Sequence, residues 1–194
     1  AFFSTGQFEI DLLGGPLALN SDLLSLRSSL GAAALLMGVV LAGRLLHRKR
    51  PPLLIIVALA IALIGKYGFT KYGYAMSATE VIWPQVVSGF GLGLLATPLA
   101  VAAYETLAVS QTKDASSLFV LSTQLGSALG IAVLGITLVY LQGLEAGNLG
   151  VTSVTSPLLR PFINVFWLEF IGTAVFIPVA LLLRPRKANG TELK

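Results

Sequence analysis

The sequence predicts an all-α fold, a polytopic membrane helical bundle of about five transmembrane helices. Of its 194 residues, 55% are hydrophobic and only 11% are charged, and the mean hydropathy is +0.84. Because soluble domains carry about 25% charged residues, this composition excludes a water-soluble core. The chain contains no cysteine, which excludes a disulfide framework and a thiolate metal site.

Long apolar runs separated by short polar segments set the predicted spans. A helix rises about 1.5 Å per residue, so roughly 20 residues cross a hydrocarbon core of about 30 Å. The predicted spans are residues 23–46, 51–67, 81–104, 117–140 and 158–183. Turn-rich residues 1–22 are expected to hold the end of a preceding helix, an external loop, or both. An outer loop is predicted over residues 142–156, and a polar cytoplasmic tail over residues 184–194.

Small residues recur on one face of each helix in the hairpin formed by residues 81–104 and 117–140. Gly89 and Gly93 follow Gln85 at intervals of four residues, and Gly126 and Gly130 have the same spacing. Small residues at this spacing let helix backbones approach closely in lipid. We therefore expect these four glycines to serve helix packing.

Basic residues predict the orientation in the membrane. Arg44, His47 and residues 48–50 follow the first span directly, which is typical of a cytoplasmic anchor and not of a nucleic-acid site. With this run inside, alternation places nine basic residues inside and four outside, and the carboxyl terminus faces the cytoplasm. Lys66, Tyr67, Lys71 and Tyr72 are expected to form an interfacial belt at the outer end of the second span.

Several strings in the chain resemble a known transporter family. Trp83-Pro84-Gln85 is followed by Gly89-Phe90 and Pro98-Leu99, and then by residues 115–118, ASSL, and 126–130, GSALG. This series resembles the late helices of the fourteen-span drug/proton antiporter branch (EmrB/QacA type) of the major facilitator superfamily. The resemblance covers only a carboxy-terminal portion, so it implies part of the second half of that fold and a missing amino-terminal half.

The run from Gly43 to Arg50 resembles the second copy of the cytoplasmic signature of that superfamily, G-x-L-x-D-R-x-G-R-R. Gly43, Leu45 and Arg48 match the signature, and His47 stands where it has Asp. The chain begins at Ala1 in apolar sequence without a basic leader, so we expect it to be the interior of a longer chain.

Glu169 is the clearest candidate for a proton or substrate pathway. It lies one to two turns from the centre of the last predicted span, where a charge is costly and a short side chain cannot reach water along the helix. It must face a hydrated cavity, pair with a base or be protonated. Phe166 lies on a nearby part of the same face. A coupling carboxylate and a structural acid both remain open.

Three further polar side chains lie within predicted spans. Arg27 either snorkels to the outer interface or lines a cavity as the partner of an acid. Gln85 bonds either a substrate or a neighbouring helix, and Gln124 is a pathway candidate on the fourth span. His47 is the sole histidine and lies in a basic run, so no catalytic triad, metal site or cofactor site is predicted.

The predicted function is transport across the cell (inner or plasma) membrane. The resemblance implies proton-coupled multidrug efflux by alternating access, with protons and small hydrophobic or cationic compounds as partners. The 194 residues alone are expected not to transport, because they hold about five spans. The alternatives are a non-transporting assembly or regulatory module, or a carrier for sugars, metabolites or siderophores. An enzyme and a nucleic-acid partner are not expected.

Overall fold

The computed structural model describes residues 13–14, 19–46, 51–73, 76–104, 112–148 and 159–182. These residues form five helices: α1 (Ser21–Leu46), α2 (Pro51–Phe69), α3 (Ala78–Tyr104), α4 (Thr112–Asn148) and α5 (Arg160–Leu182). No strand occurs in the part of the chain that is described. The predicted all-α helical bundle is therefore confirmed.

The helix α4 is longer than the span predicted for this region. It contains 37 residues, which is about 55 Å at 1.5 Å per residue. The prediction of an outer loop over 142–156 is wrong for residues 142–148, which continue α4. Leu141, Gln142 and Leu144 favour helix enough to outweigh the two glycines of this stretch, Gly143 and Gly147. Residues 149–156 of that loop and the predicted tail, 184–194, lie outside the described residues.

Side-chain caps mark the starts of two helices. At α1, Oδ1 of Asn20 accepts a hydrogen bond from the backbone N–H of Asp22 at 3.2 Å. At α3, Oε2 of Glu80 accepts bonds from the backbone N–H and the hydroxyl of Ser77, both at 2.8 Å. Oγ of Ser77 accepts the N–H of Glu80 in return at 3.4 Å, which completes a capping box.

Helices α1 and α3 cross at glycines on both sides. A Cβ placed on Gly89 would lie 2.6 Å from the carbonyl oxygen of Gly31. A Cβ on Gly93 would clash with the carbonyl of Leu35, and one on Gly38 with the carbonyl of Phe90. Since each opposing atom is backbone, which cannot swing away, a larger side chain would force the two helices apart.

A second face of α3 packs against α2 in the same manner. A Cβ on Gly65 would clash with the backbone of Ser88, and one on Gly91 would lie 2.5 Å from the backbone N of Ala62. Apolar side chains from α1, α2 and α3 fill one buried cluster at this junction: Ala42, Ile55, Ala58, Leu59, Leu94 and Leu95. The helix α3 is therefore the central element, with α1 and α2 on two of its faces.

Helix α5 packs on the bundle through a second apolar cluster. Phe162, Val165 and Phe166 of α5 are buried together with Phe69, the last residue of α2, and with Tyr72, which follows that helix. Leu134 and Leu138 of α4 belong to the same cluster. In the described range, most other apolar side chains of α4 are exposed, for example Leu118, Leu121, Leu125, Leu129 and Ile136.

Among the described residues, four helices are long and apolar enough to cross a bilayer: Ser21–Leu46, Pro52–Phe69, Ala78–Ala103 and Ser116–Leu144. The exposed apolar side chains suit a lipid environment, because lipid tails replace protein as their neighbours. The fifth helix, α5, has 23 residues, which is also long enough to span. Its assignment as a fifth span stays a prediction.

Candidate functional site

A buried ion pair links α2 to α5. The Nζ atom of Lys66 lies 3.1 Å from Oε2 of Glu169, within hydrogen-bonding distance. Only 3% of the Lys66 side chain and 4% of the Glu169 side chain are exposed. Such a pair is charge-assisted and short, and each charge compensates the other away from water.

Lys66 corrects one prediction made from the sequence. Its expected place in an interfacial belt is wrong, because the side chain is buried against α5. Tyr67 and Lys71 are exposed, and the Lys71 ammonium lies 5.1 Å from the centre of the Tyr67 ring. Tyr72 is also buried, with its hydroxyl donating to the carbonyl of Val81 at 3.0 Å. Within α2, the adjacent residues Lys66 and Tyr67 thus lie on the buried and the exposed side of the helix, as helical geometry requires.

A cavity of about 490 Å³ lies beside the ion pair, bordered by α2, α4 and α5. Lys66 and Glu169 are the charged side chains that line it, and Thr173 is the one lining hydroxyl residue. The remaining lining residues are small or apolar: Gly126, Leu129, Gly130, Val133, Leu134, Leu168, Ile171 and Gly172. The cavity therefore brings a paired positive and negative charge to an apolar space.

Gly126 and Gly130 line this cavity, and their position differs from that of Gly89 and Gly93. Gly126 is exposed, and a Cβ placed there would meet no heavy atom of the described residues within 4 Å. The structure thus places Gly89 and Gly93 in the close α1–α3 crossing described above. Gly126 and Gly130 instead lie on the face of α4 that borders the cavity.

Aromatic packing one turn before Glu169 and a hydroxyl one turn after it hold this part of α5. Phe166, one turn earlier on α5, is 1% exposed, and its ring centre lies 5.9 Å from that of Phe69 and 6.2 Å from that of Tyr72. The hydroxyl of Thr173 donates to the backbone carbonyl of Glu169 at 2.8 Å. Aromatic packing therefore fixes this turn of α5, and with it the direction of the carboxylate.

Arg27 does not snorkel to the interface. Arg27 is only 2% exposed. Its Nε atom donates to the carbonyl of Val81 at 3.3 Å, and its Nη2 atom donates to Oε1 of Gln85 at 3.0 Å. The guanidinium also lies 5.8 Å from the centre of the Phe69 ring. Of the two readings open for Gln85, the structure shows the bond to a neighbouring helix, because this contact joins α3 to α1.

The other predicted site residues lie apart from the ion pair. Gln124 is exposed on α4. Gly43 and Leu45 are half-buried near the end of α1, where Leu45 packs against the junction cluster of α1, α2 and α3. His47 and Arg48 lie outside the described residues.

Sequence reasoning missed Lys66 as the partner of Glu169. One signal was available, because Lys66 is the single charged residue in the otherwise apolar stretch from Leu53 to Phe69 in α2. A pair separated by 103 positions has no local pattern, so only packing of α2 on α5 reveals it. Within the described ranges, no group of three His, Cys, Asp or Glu side chains is placed to hold a metal ion.

These helices and one sequence similarity define a multi-pass membrane protein. No family model matches the chain. Over 108 residues the chain is 29% identical to a protein of Mycobacterium tuberculosis (strain ATCC 25618 / H37Rv) named "Multidrug resistance protein B homolog". The match covers 54% of this chain and 20% of that protein, so the chain corresponds to about a fifth of the length of this relative.

Proposed function

We propose that the chain is part of a proton-coupled multidrug efflux transporter that acts by alternating access. The single observation that carries the proposal is the Lys66–Glu169 ion pair on the wall of the cavity between α2, α4 and α5. Ionisable side chains at membrane depth are rare, and they usually face an internal cavity and mark an ion or substrate path.

Stability alone is a weak reason for such a pair. Removing two charges from water costs several kcal/mol per ion, and apolar side chains of similar volume often stabilise a protein as well or better. An ion pair that also lines a cavity has a use that an apolar replacement lacks, since it can exchange partners with a charged ligand or a proton. In this proposal Glu169 belongs to the coupling site, and Phe166 holds its turn of α5.

The similarity to a multidrug resistance protein B homolog supports the multidrug class, and the WPQ, GF and ASSL strings support the major facilitator superfamily and its fourteen-span antiporter branch. Because the chain corresponds to about a fifth of that relative, the proposal includes further helices, an amino-terminal half, that complete the cavity. Its substrates would be small hydrophobic or cationic compounds. No enzymatic activity is part of the proposal.

The proposed orientation in the inner or plasma membrane places the carboxyl terminus in the cytoplasm. It rests on the excess of basic residues after Gly43 and at the end of the chain. The burial of Arg27 and Lys66 removes both from the outer interface, which increases this asymmetry. Gly43, Leu45, His47 and Arg48 would form the cytoplasmic loop that resembles the superfamily signature.

Reconstitution tests the function. The full-length protein that contains this chain is expected to extrude a fluorescent cationic dye from liposomes along with inward proton flow, and an uncoupler should abolish the extrusion. Glu169→Gln in that protein should lower coupled efflux more than it lowers the amount inserted in the membrane. If the efflux of the variant equals that of the unmodified protein at every pH measured, Glu169 is a structural acid.

The 194 residues reconstituted by themselves provide a second test. We expect no proton-coupled efflux from them, because alternating access needs two bundles that rock around a shared site. Uncoupler-sensitive dye extrusion by this chain alone would contradict the proposal that further helices are needed to complete the transport site.

A further inference from the structure

We infer that Lys66 carries the exchanged proton, and that Glu169 stays ionised as the acceptor for a lipophilic cation that displaces Lys66. This inference rests on the proposed function and assigns its coupling chemistry to two residues. It starts from the 3.1 Å contact between them and from the position of both on the wall of one apolar cavity.

Charge balance is the first step. In the resting state the ammonium of Lys66 compensates the carboxylate of Glu169. Protonating Glu169 in that state would leave a bare ammonium in an apolar space, which is unfavourable. A proton can therefore enter or leave the site without an uncompensated charge only together with a second change of charge.

A monovalent cation supplies that second change. If the cation binds the carboxylate, two positive charges share one negative charge beside an apolar cavity. Lys66 restores the balance by releasing one proton to water, and it remains as a neutral amine. The net result is one cation bound and one proton released, with no covalent bond formed and the charge of the site unchanged.

The chemistry of the two side chains decides which partner moves. Lysine has a flexible stem of four carbons and becomes neutral readily when its charge is desolvated, whereas arginine does not. The short side chain of Glu169 lies on a turn of α5 that Phe166 anchors in the aromatic cluster with Phe69 and Tyr72. The amine can therefore swing away while the carboxylate stays at the cavity wall.

Other charged groups of the described residues do not line this cavity. Arg27 is held by Val81 and Gln85 at the α1–α3 contact, and Lys71 and Arg160 are exposed. Neither α3 between residues 81 and 103 nor α4 between residues 116 and 144 contains a charged residue. The phenol of Tyr67 does not line the cavity either; its ring is exposed and packs against Trp167 and Phe170.

Proton release on cation binding tests the inference. Tetraphenylphosphonium is a suitable probe, because its charge is permanent and any released proton comes from the protein. The full-length protein in weakly buffered detergent should release about one proton per bound cation. Binding of the probe without proton release would overturn the inference, and so would the absence of probe binding by a protein that still extrudes dye.

Variants assign the proton to its residue. Lys66→Arg keeps the ion pair and should fold, and it should lose the proton release, because arginine stays charged. Lys71→Gln, which changes an exposed lysine on the same segment, is the matched control and should release protons as the unmodified protein does.

The outcomes separate this inference from the proposed function. Release of about one proton per cation by Lys66→Arg would show that another group carries the proton, and the inference would fail even if efflux is coupled. Dye efflux that is insensitive to an uncoupler in the unmodified full-length protein would instead refute the proposed function.

Discussion

The Nζ atom of Lys66 lies 3.1 Å from Oε2 of Glu169, although the two residues are 103 positions apart in the chain. Their contact ties α2 to α5 at the edge of a cavity that α4 also borders. An ionised carboxylate is costly in hydrocarbon, and here a lysine on another helix compensates its charge.

Removing one partner of the ion pair should destabilise the bundle more than removing both partners. Glu169→Gln leaves the Lys66 charge buried without this carboxylate and should lower the free energy of unfolding by about 3–5 kcal/mol. The double variant Lys66→Gln with Glu169→Gln should recover most of that loss, because no charge remains buried. A double-mutant cycle on thermal unfolding in detergent measures both, and additive losses would show that the two side chains do not interact.

Arg27 should hold α1 to α3 through its fork of donors. Arg27→Lys keeps the charge but cannot bond the Val81 carbonyl and Gln85 in the same planar geometry. Loss of one charged hydrogen bond should cost about 1.5–3 kcal/mol of unfolding free energy. Arg160→Gln, at an exposed position, should leave stability within about 0.5 kcal/mol and serves as the control. Equal stability of Arg27→Lys and Arg160→Gln would show that the hydrogen bonds of Arg27 do not stabilise the contact between α1 and α3.

Adding one methyl group should lower stability at a glycine whose Cβ would clash and should change it little at a glycine with open space around the Cβ position. Gly93→Ala drives a Cβ into the carbonyl of Leu35 and should cost about 1–3 kcal/mol, as overpacking does elsewhere. Gly126→Ala is the matched change, and it should be nearly neutral for stability because the described residues leave room for its Cβ. Thermal unfolding of the two variants in the same detergent provides the comparison. If Gly126→Ala lost more stability than Gly93→Ala, the close approach of α1 and α3 at Gly93 would be contradicted.

Membrane topology is accessible because the chain has no cysteine. Single cysteines placed after Arg50 and after Lys187 are expected to face the same compartment, the cytoplasm, and one at Ser77 the opposite side. Labelling intact cells with a membrane-impermeant maleimide, before and after permeabilisation, reads this directly. Opposite compartments for the first two positions would overturn both the topology and the transporter proposal built on it.

Much of the fold could be predicted from local sequence. Apolar runs longer than a bilayer predict helices, because backbone polar groups in lipid must bond within their own segment. The same pattern failed at residues 142–148, where polar and small residues favoured a loop but the structure continues α4. Helix propensity is a weak prior near an interface, where both helix and loop are hydrated.

The candidate site could be predicted only in part. Depth in the last span showed that Glu169 needs a cavity, a base or a proton, because hydrocarbon does not solvate a carboxylate. It could not show which of these is present. Lys66 was assigned to the interface because its long stem permits that location.

The sequence by itself determined that the chain forms apolar helices and that a deep acid needs compensation, since both follow from the cost of polar groups in lipid. Only the tertiary structure decided that Lys66 provides that compensation, that Arg27 bonds Val81 and Gln85, and that Gly126 borders a cavity. The physical reason is that each of these contacts depends on the relative rotation of two helices, which is set by packing between residues far apart in the chain.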